Sequence, residues 1–250
     1  MNYPPAPWKL QGYATQTLNL VDIDLVRRFV PPELDIVSIL PGKTIGSIYI
    51  SEYQLGSVLT YNELIVAPAL VRKGTKIGGW ISHIYVDHPD SVAGGREIWG
   101  LPKELAEFTR IVGVGDSLPL GTASSRNETL RVGEALPLAL RNENRQITVK
   151  QQDKTLCRLS YRPNLLSDLK ITPKITVPCF GNLDGNLLYF NNDFQGTVNL
   201  VDSNLEIPQS SPFASLNLST PLLTIDLQDL YLVIGSPEFA STKLEHLAIA

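Results

Sequence analysis

The sequence predicts a mostly β protein, and three observations carry that reading. Short stretches rich in Val, Ile, Leu, Thr and Tyr recur along the chain, as β-branched and aromatic residues do on pleated, half-buried surfaces. They are punctuated by 18 glycines and 18 prolines, the residues that end elements and set turns. Helical periodicity surfaces only twice. At 250 residues the chain suits one large β domain spanning 1–250, because barrels and sandwiches of this length commonly form single units. No linker-like tract, internal repeat or low-complexity segment interrupts it.

The first candidate strands are Tyr13 to Leu20, Thr44 to Tyr53, Asn62 to Val71, Gly79 to Asp87 and Ala106 to Val112. Gln146 to Gln151 and Thr155 to Tyr161 follow, joined by a polar turn at Gln152-Asp153-Lys154. Ile147 and Val149 alternate there with Thr148 and Lys150, the period of a hairpin strand. Asn186 to Phe190, Gly196 to Val201 and Leu222 to Ile234 complete the set. One helical segment, Val21 to Phe29, spaces Val21, Leu25 and Phe29 at i, i+4 and i+8 and is stopped by Pro31-Pro32. The other, Pro89 to Ile98, sets Pro89 in its first turn, although Gly94-Gly95 costs about 1 kcal/mol per glycine relative to alanine. Gly115 to Arg126 reads as a polar surface loop.

Composition excludes several classes. With 43% apolar and 18% charged residues the chain can bury a core, which a disordered protein cannot. A net charge of −4 opposes a nucleic-acid partner, which needs a concentrated basic surface. Apolar runs stay well short of the ~20 residues that span a bilayer, and Met1 to Trp8 lacks the basic and apolar regions of a signal peptide. A soluble cytoplasmic protein with no integral membrane segment is expected, its Cys157 and Cys179 buried as free thiols.

Isolated motifs dissolve on inspection. Gly42-Lys43-Thr44 lacks the earlier glycine of a phosphate loop, since that position is Val37. On a strand, His83, Tyr85 and Asp87 share a face while His88 points away, which suits a hydrogen-bonded histidine beside a turn better than a metal site. There is no Gly-x-Ser-x-Gly elbow. No metal or nucleotide motif is present, and no cofactor is expected.

The informative stretch runs from Gly95 to Ala106: Gly95-Arg96-Glu97-Ile98-Trp99-Gly100-Leu101-Pro102-Lys103-Glu104-Leu105-Ala106. Its glycines permit unusual backbone angles, and Pro102 fixes φ just before a lysine in an apolar neighbourhood. A free lysine, with a pKa near ~10.4, is almost wholly charged at neutral pH, and burial is what disfavours the ammonium. Local chemistry alone leaves Lys103 open to two readings, a solvated lysine after a turn or a buried amine kept for chemistry.

This stretch resembles the signature of the acetoacetate decarboxylase superfamily. Tyr61-Asn62-Glu63 resembles that family's Tyr-x-Glu strand, Tyr85-Val86-Asp87 its run before the signature, and Leu25 to Pro31 its helix ending in Val-Pro. The resemblance covers Trp8 to Phe108 and implies a cone-shaped, mostly antiparallel β-barrel with a few short helices around an apolar pocket. It implies that Lys103 is a Schiff-base lysine, with Glu63 a carboxylate in the same pocket and Tyr61, Arg96 and Glu104 bearing on the substrate. The activity implied is that of a lyase of decarboxylase, aldolase or dehydratase type, acting on a small-molecule carbonyl compound, in a homo-oligomer. Acetoacetate decarboxylase is itself the standard case of a lysine activated by its surroundings.

Three departures bear on the substrate. Decarboxylases follow the lysine with a second lysine, and here the residue is Glu104. If Glu104 faced the pocket it would favour the ammonium, whereas in an extended segment it turns to the opposite face. On an ungapped match, a family arginine falls at Gly12 and a second family glutamate at Ile48. Arg96 is left either to replace that arginine or to brace the signature turn. The second function carried forward is a non-catalytic or accessory barrel binding an apolar isoprenoid- or carotenoid-like ligand. It is suggested by Pro7-Trp8-Lys9-Leu10-Gln11-Gly12 and Val30-Pro31-Pro32-Glu33-Leu34, which resemble the plant neoxanthin-deficient branch.

Overall fold

A computed structural model of the protein describes residues 3–113, 128–129, 144–163 and 171–240. Its strands are β1 (Trp8–Asp22), β2 (Asp35–Ile36), β3 (Lys43–Tyr53), β4 (Tyr61–Ala67), β5 (Ala69–Lys73), β6 (Lys76–Trp80), β7 (His83–Val86) and β8 (Lys103–Leu105). They continue with β9 (Glu107–Val112), β10 (Glu128–Thr129), β11 (Arg145–Gln151), β12 (Lys154–Pro163), β13 (Lys174–Leu183), β14 (Asn186–Glu206), β15 (Leu223–Ile234) and β16 (Glu238–Phe239). Two α-helices, α1 (Ile23–Val26) and α2 (Pro89–Trp99), interrupt them.

The protein is mostly β, as the recurrence of β-branched stretches requires. Its main sheet runs β10-β9-β11-β12-β14-β15-β1-β3-β4-β7-β8, with β13, β16 and the β2-β5-β6 group branching off. Neighbours on this path are antiparallel except β7 and β8, which the α2 crossover makes parallel. Among the described residues the path does not return to its start, so they show a branched sheet, and closure into the expected cone is not among what they show. None of the described helices is long and apolar enough to cross a membrane.

Most elements match their sequence signals, and the differences have local causes. Asn62 to Val71 divides at Pro68 into β4 and β5. Asn186 to Phe190 and Gly196 to Val201 are parts of one 21-residue strand; Asn191-Asn192-Asp193 has the composition of a turn but is paired by β13 and β15. β13 itself alternates Ile175, Val177 and Cys179 with Lys174, Thr176 and Pro178, but the proline inside it speaks against a strand. The Val21 to Phe29 segment is helical only from Ile23, because β1 continues to Asp22, and it finishes as a 3-10 turn at Arg27–Phe29. The second helix starts as expected, with Pro89 in its first turn and the His88 side chain accepting from Asp90 N. The Gln152-Asp153 turn joins β11 and β12, with Gln152 at φ 54°. The Gly115 to Arg126 loop lies outside the described residues.

Strand alternation sorts the interior into two apolar clusters on opposite faces of β1, β3, β4 and β7. One contains Ile48, Ile50, Leu64, Val66 and Tyr85. The other contains Trp8, Tyr49, Tyr53, Tyr61, Ile84 and Trp99, and it surrounds the site described next.

Candidate active site

Lys103 opens β8 and is 2% exposed. Its stem lies against α2 at Gly95, where an added Cβ would come 2.4 Å from Lys103 Cδ. Of the Gly94-Gly95 pair that weakens the helix in sequence terms, Gly95 thus makes room for the lysine, and Gly94 for Trp8. Arg96, one position on, donates from Nε to the Lys103 carbonyl oxygen at 2.8 Å. Helix α2 therefore grips the lysine twice, by a close approach to its stem and by a charge-assisted bond to its backbone.

The amine ends in a polar niche with aromatic sides. Nζ donates to Glu63 Oε1 at 2.7 Å and to Ser91 Oγ at 3.0 Å. It also lies 5.1 Å from the centre of the Tyr61 ring and 5.7 Å from that of Trp8, within reach of a cation–π attraction. Glu63 is 2% exposed, and its other oxygen accepts from the Tyr53 hydroxyl at 3.2 Å. The Tyr49 and Tyr53 hydroxyls are 3.4 Å apart, so a chain of polar groups runs Lys103–Glu63–Tyr53–Tyr49. Burial, above all, pushes both tyrosines well above their usual pKa, and the Glu63 carboxylate adds to it. They are hydroxyl donors at any physiological pH.

Beside this chain lies a cavity of about 100 Å³. Ile65, Ile84, Trp99, Phe190 and Leu232 form much of its wall, and Gln16, Tyr49, Tyr53, Glu63, Lys103 and Asn192 supply polar groups. One row of the wall crosses five strands. Gln16 of β1 stands opposite Tyr49 of β3, Tyr49 opposite Ile65 of β4, Ile65 opposite Ile84 of β7, and Ile84 opposite Lys103 of β8. Cys179 also lines the cavity, and burial raises its thiol, like that of Cys157, to about 12. Neither is a nucleophile there, and both are free.

Lys103, Glu63 and Tyr61 are thus brought together, whereas Arg96 and Glu104 are not. Glu104 follows Lys103 on an extended strand, so it turns to the exposed face, where Gln151 donates to it at 2.6 Å. Arg96 braces the signature and lines a separate, open groove of about 480 Å³ with Trp80, His83 and Pro102. In that groove His83 Nδ1 pairs with Ser82 Oγ at 2.8 Å, and burial lowers the histidine's pKa. The two ungapped correspondences fare differently. Gly12 has no space for a larger residue, since a Cβ would meet the Glu52 carbonyl oxygen at 1.9 Å. Ile48 points into the other cluster, and its neighbour Tyr49 is the residue that reaches the cavity. Gln16, Tyr49, Tyr53 and Ser91 have no motif to mark them, and only strand register and helix facing could have found them.

Comparison with known proteins fits this arrangement. The family model described as acetoacetate decarboxylase (ADC) matches residues 4–181, well over half the chain. The chain belongs to the acetoacetate decarboxylase family. Among curated relatives, the protein NEOXANTHIN-DEFICIENT 1 of Solanum lycopersicum is 25% identical over 61% of this chain and 57% of its own length. The rice protein of that name (Oryza sativa subsp. japonica) is 30% identical over 42% of this chain and 34% of its own. The matches thus span little more than half of these relatives, or less. Solved structures superpose over nearly the whole chain. The acetoacetate decarboxylase of Legionella pneumophila gives a TM-score of 0.66 at 16% identity, covering 98% of this chain and 91% of that one. The enduracididine biosynthesis enzyme MppR, complexed with pyruvate, gives 0.64 at 15%, covering 96% and 92%. At such identities the likeness is one of fold.

Proposed function

We propose that the protein is a Schiff-base-forming lyase acting on a small carbonyl compound, with Lys103 as nucleophile and Glu63 as the group that exchanges protons with it. The observation that carries this is the buried amine 2.7 Å from a buried carboxylate on the wall of an apolar cavity. An amine attacks only after losing its proton, and Glu63 is placed to take it. The Nζ lone pair adds to the carbonyl carbon while the C=O π pair moves to oxygen, which is protonated. Loss of water leaves an imine. Once protonated, the imine draws electrons from the adjacent carbon, so that a carboxyl group, a proton or an aldehyde fragment departs and leaves its bonding pair in an enamine. Protonation of the enamine at carbon and addition of water release the product and restore the lysine.

Cavity size separates this from the second reading. A dry cavity of ~150 Å³ is known to hold a molecule the size of benzene, so about 100 Å³ suits a ligand of a few heavy atoms and not a carotenoid. Assembly as a homo-oligomer in the cytoplasm belongs to the same proposal, and sedimentation showing a monomer would remove its first half. The main test is reductive trapping. Short keto acids, ketones and aldehydes are offered with borohydride near neutral pH, and mass is sought on Lys103. Added mass there is the expected result; if no carbonyl compound leaves any, the protein is not an imine-forming enzyme.

A further inference from the structure

We infer that the Lys103 cavity selects a short, uncharged hydroxy-ketone or hydroxy-aldehyde over a keto acid, with Gln16 and Tyr49 holding its hydroxyl group. This rests on the imine reading of Lys103 and adds the substrate class. The five-strand row carries it, because its ends are polar and its middle is Ile65 and Ile84. The carbonyl carbon goes to Nζ at one end. At the other, Gln16 and Tyr49 are direct cross-strand neighbours on the cavity face, close enough to grip one group together.

Charge on the wall decides against a carboxylate. Among the described residues Lys103 is the one basic side chain lining the cavity, and its nitrogen is used in the imine. Glu63 adds a carboxylate within 2.7 Å of that nitrogen. Gly12 leaves no space for an arginine, and Arg96 lies in the other groove. A substrate carboxylate would enter an apolar cavity with no cation to meet it, which burial strongly disfavours. Apolar walls would speed loss of carbon dioxide from a bound keto acid, but no free cation described on them would bind it first.

The hydroxyl specificity follows from donors left over. Tyr53 spends its proton on Glu63, which leaves the Tyr49 proton for Tyr53 at 3.4 Å or for a ligand. Among the described residues the Gln16 side-chain amide has no hydrogen-bond partner, so it offers both a donor and an acceptor. A hydroxyl group, which needs one of each, satisfies both residues; a bare methyl leaves them unpaired.

Hydroxyacetone and pyruvate, which carry a hydroxymethyl group or a carboxylate on the same carbonyl, give the test, with acetone as reference. The full chain is treated with each and cyanoborohydride, and mass addition at Lys103 is timed against the same reaction at a free lysine. Hydroxyacetone is expected to exceed pyruvate on that scale by at least about tenfold. Gln16→Leu and Tyr49→Phe should each slow hydroxyacetone severalfold more than they slow acetone, while Gln16→Arg should raise pyruvate. Pyruvate matching or exceeding hydroxyacetone in the natural sequence overturns the inference and leaves the imine reading standing. Equal slowing of acetone and hydroxyacetone in both the Leu and Phe variants also overturns it, whether or not the Arg variant folds. Absence of mass at Lys103 with all three ketones overturns the imine reading, and this inference with it.

Discussion

Strands β3 and β4 carry a buried acid–base cluster on each face, and the two differ in what their cation can do. On the cavity face, Lys103 pairs with Glu63 beside a space of about 100 Å³. On the opposite face, Arg110 pairs with Glu52 at 3.1 Å and also donates to Asn62 Oδ1 at 3.0 Å and to the Ser51 carbonyl oxygen at 2.9 Å. Tyr13 donates to the same Glu52 oxygen, and Asp87 fastens Asn62 through bonds of 2.7 and 2.8 Å. The void beside this second cluster is about 10 Å³, one water at most. A guanidinium does not give up its proton in a protein, whereas a lysine amine can. The arginine cluster, closed and satisfied, is a brace. The lysine pair, with an open side, is the one we propose as a reagent.

Substitutions that treat the clusters alike should therefore fail differently. Lys103→Met should abolish reductive trapping entirely, read as mass on the intact chain. Residual labelling of that variant at the natural rate would place the nucleophile elsewhere. Arg110→Met removes the cation from Glu52 and the donor from Asn62 and the Ser51 carbonyl in a closed space, and should cost about 3–5 kcal/mol of stability by denaturant titration. Lys103→Met should cost less, because each carboxylate keeps one tyrosine donor but Glu63 borders a cavity of about 100 Å³ and not a closed void. Equal losses in the two variants would break the contrast between brace and reagent. Gly95→Ala pushes a methyl group onto the lysine stem, and misplacement of the amine by about 1 Å should slow trapping about 10²-fold. Its stability should stay within about 1 kcal/mol, since alanine also favours the helix. Smallest of all, Glu104→Gln should leave trapping unchanged and stability within about 0.5 kcal/mol. A marked rise in trapping would return Glu104 to the site.

Much of this was legible in the sequence, and what was not has a physical reason. The Gly95 to Ala106 signature pointed to Lys103 through its family resemblance, since local chemistry alone left that lysine open to two readings. Glu63 was legible through its Tyr-x-Glu strand, and the outward turn of Glu104 through simple alternation. Gln16, Tyr49 and Tyr53 were not, because each reaches the cavity through pairing with residues far away in the chain. Ile48 shows the same limit from the other side: an ungapped match counts residues, but one position changes the face. Strand β13 stayed hidden because Pro178 interrupts its alternation of Ile175, Val177 and Cys179, and β8 because three residues are too few to show one.

The five-strand row has a consequence for how the protein reaches its working state. Its members run from position 16 to position 103 and meet only when four separate ladders are each in register. A one-residue slip of β3 against its neighbours would present Ile48 or Ile50 where Tyr49 belongs, and would turn Glu52 toward the lysine. The same error would bring the brace's acid into the reagent's pocket and carry the cavity's tyrosines to the brace. Misthreaded chains would thus lose solidity and chemistry together, so labelling of Lys103 would serve as a proofreading signal for the whole sheet.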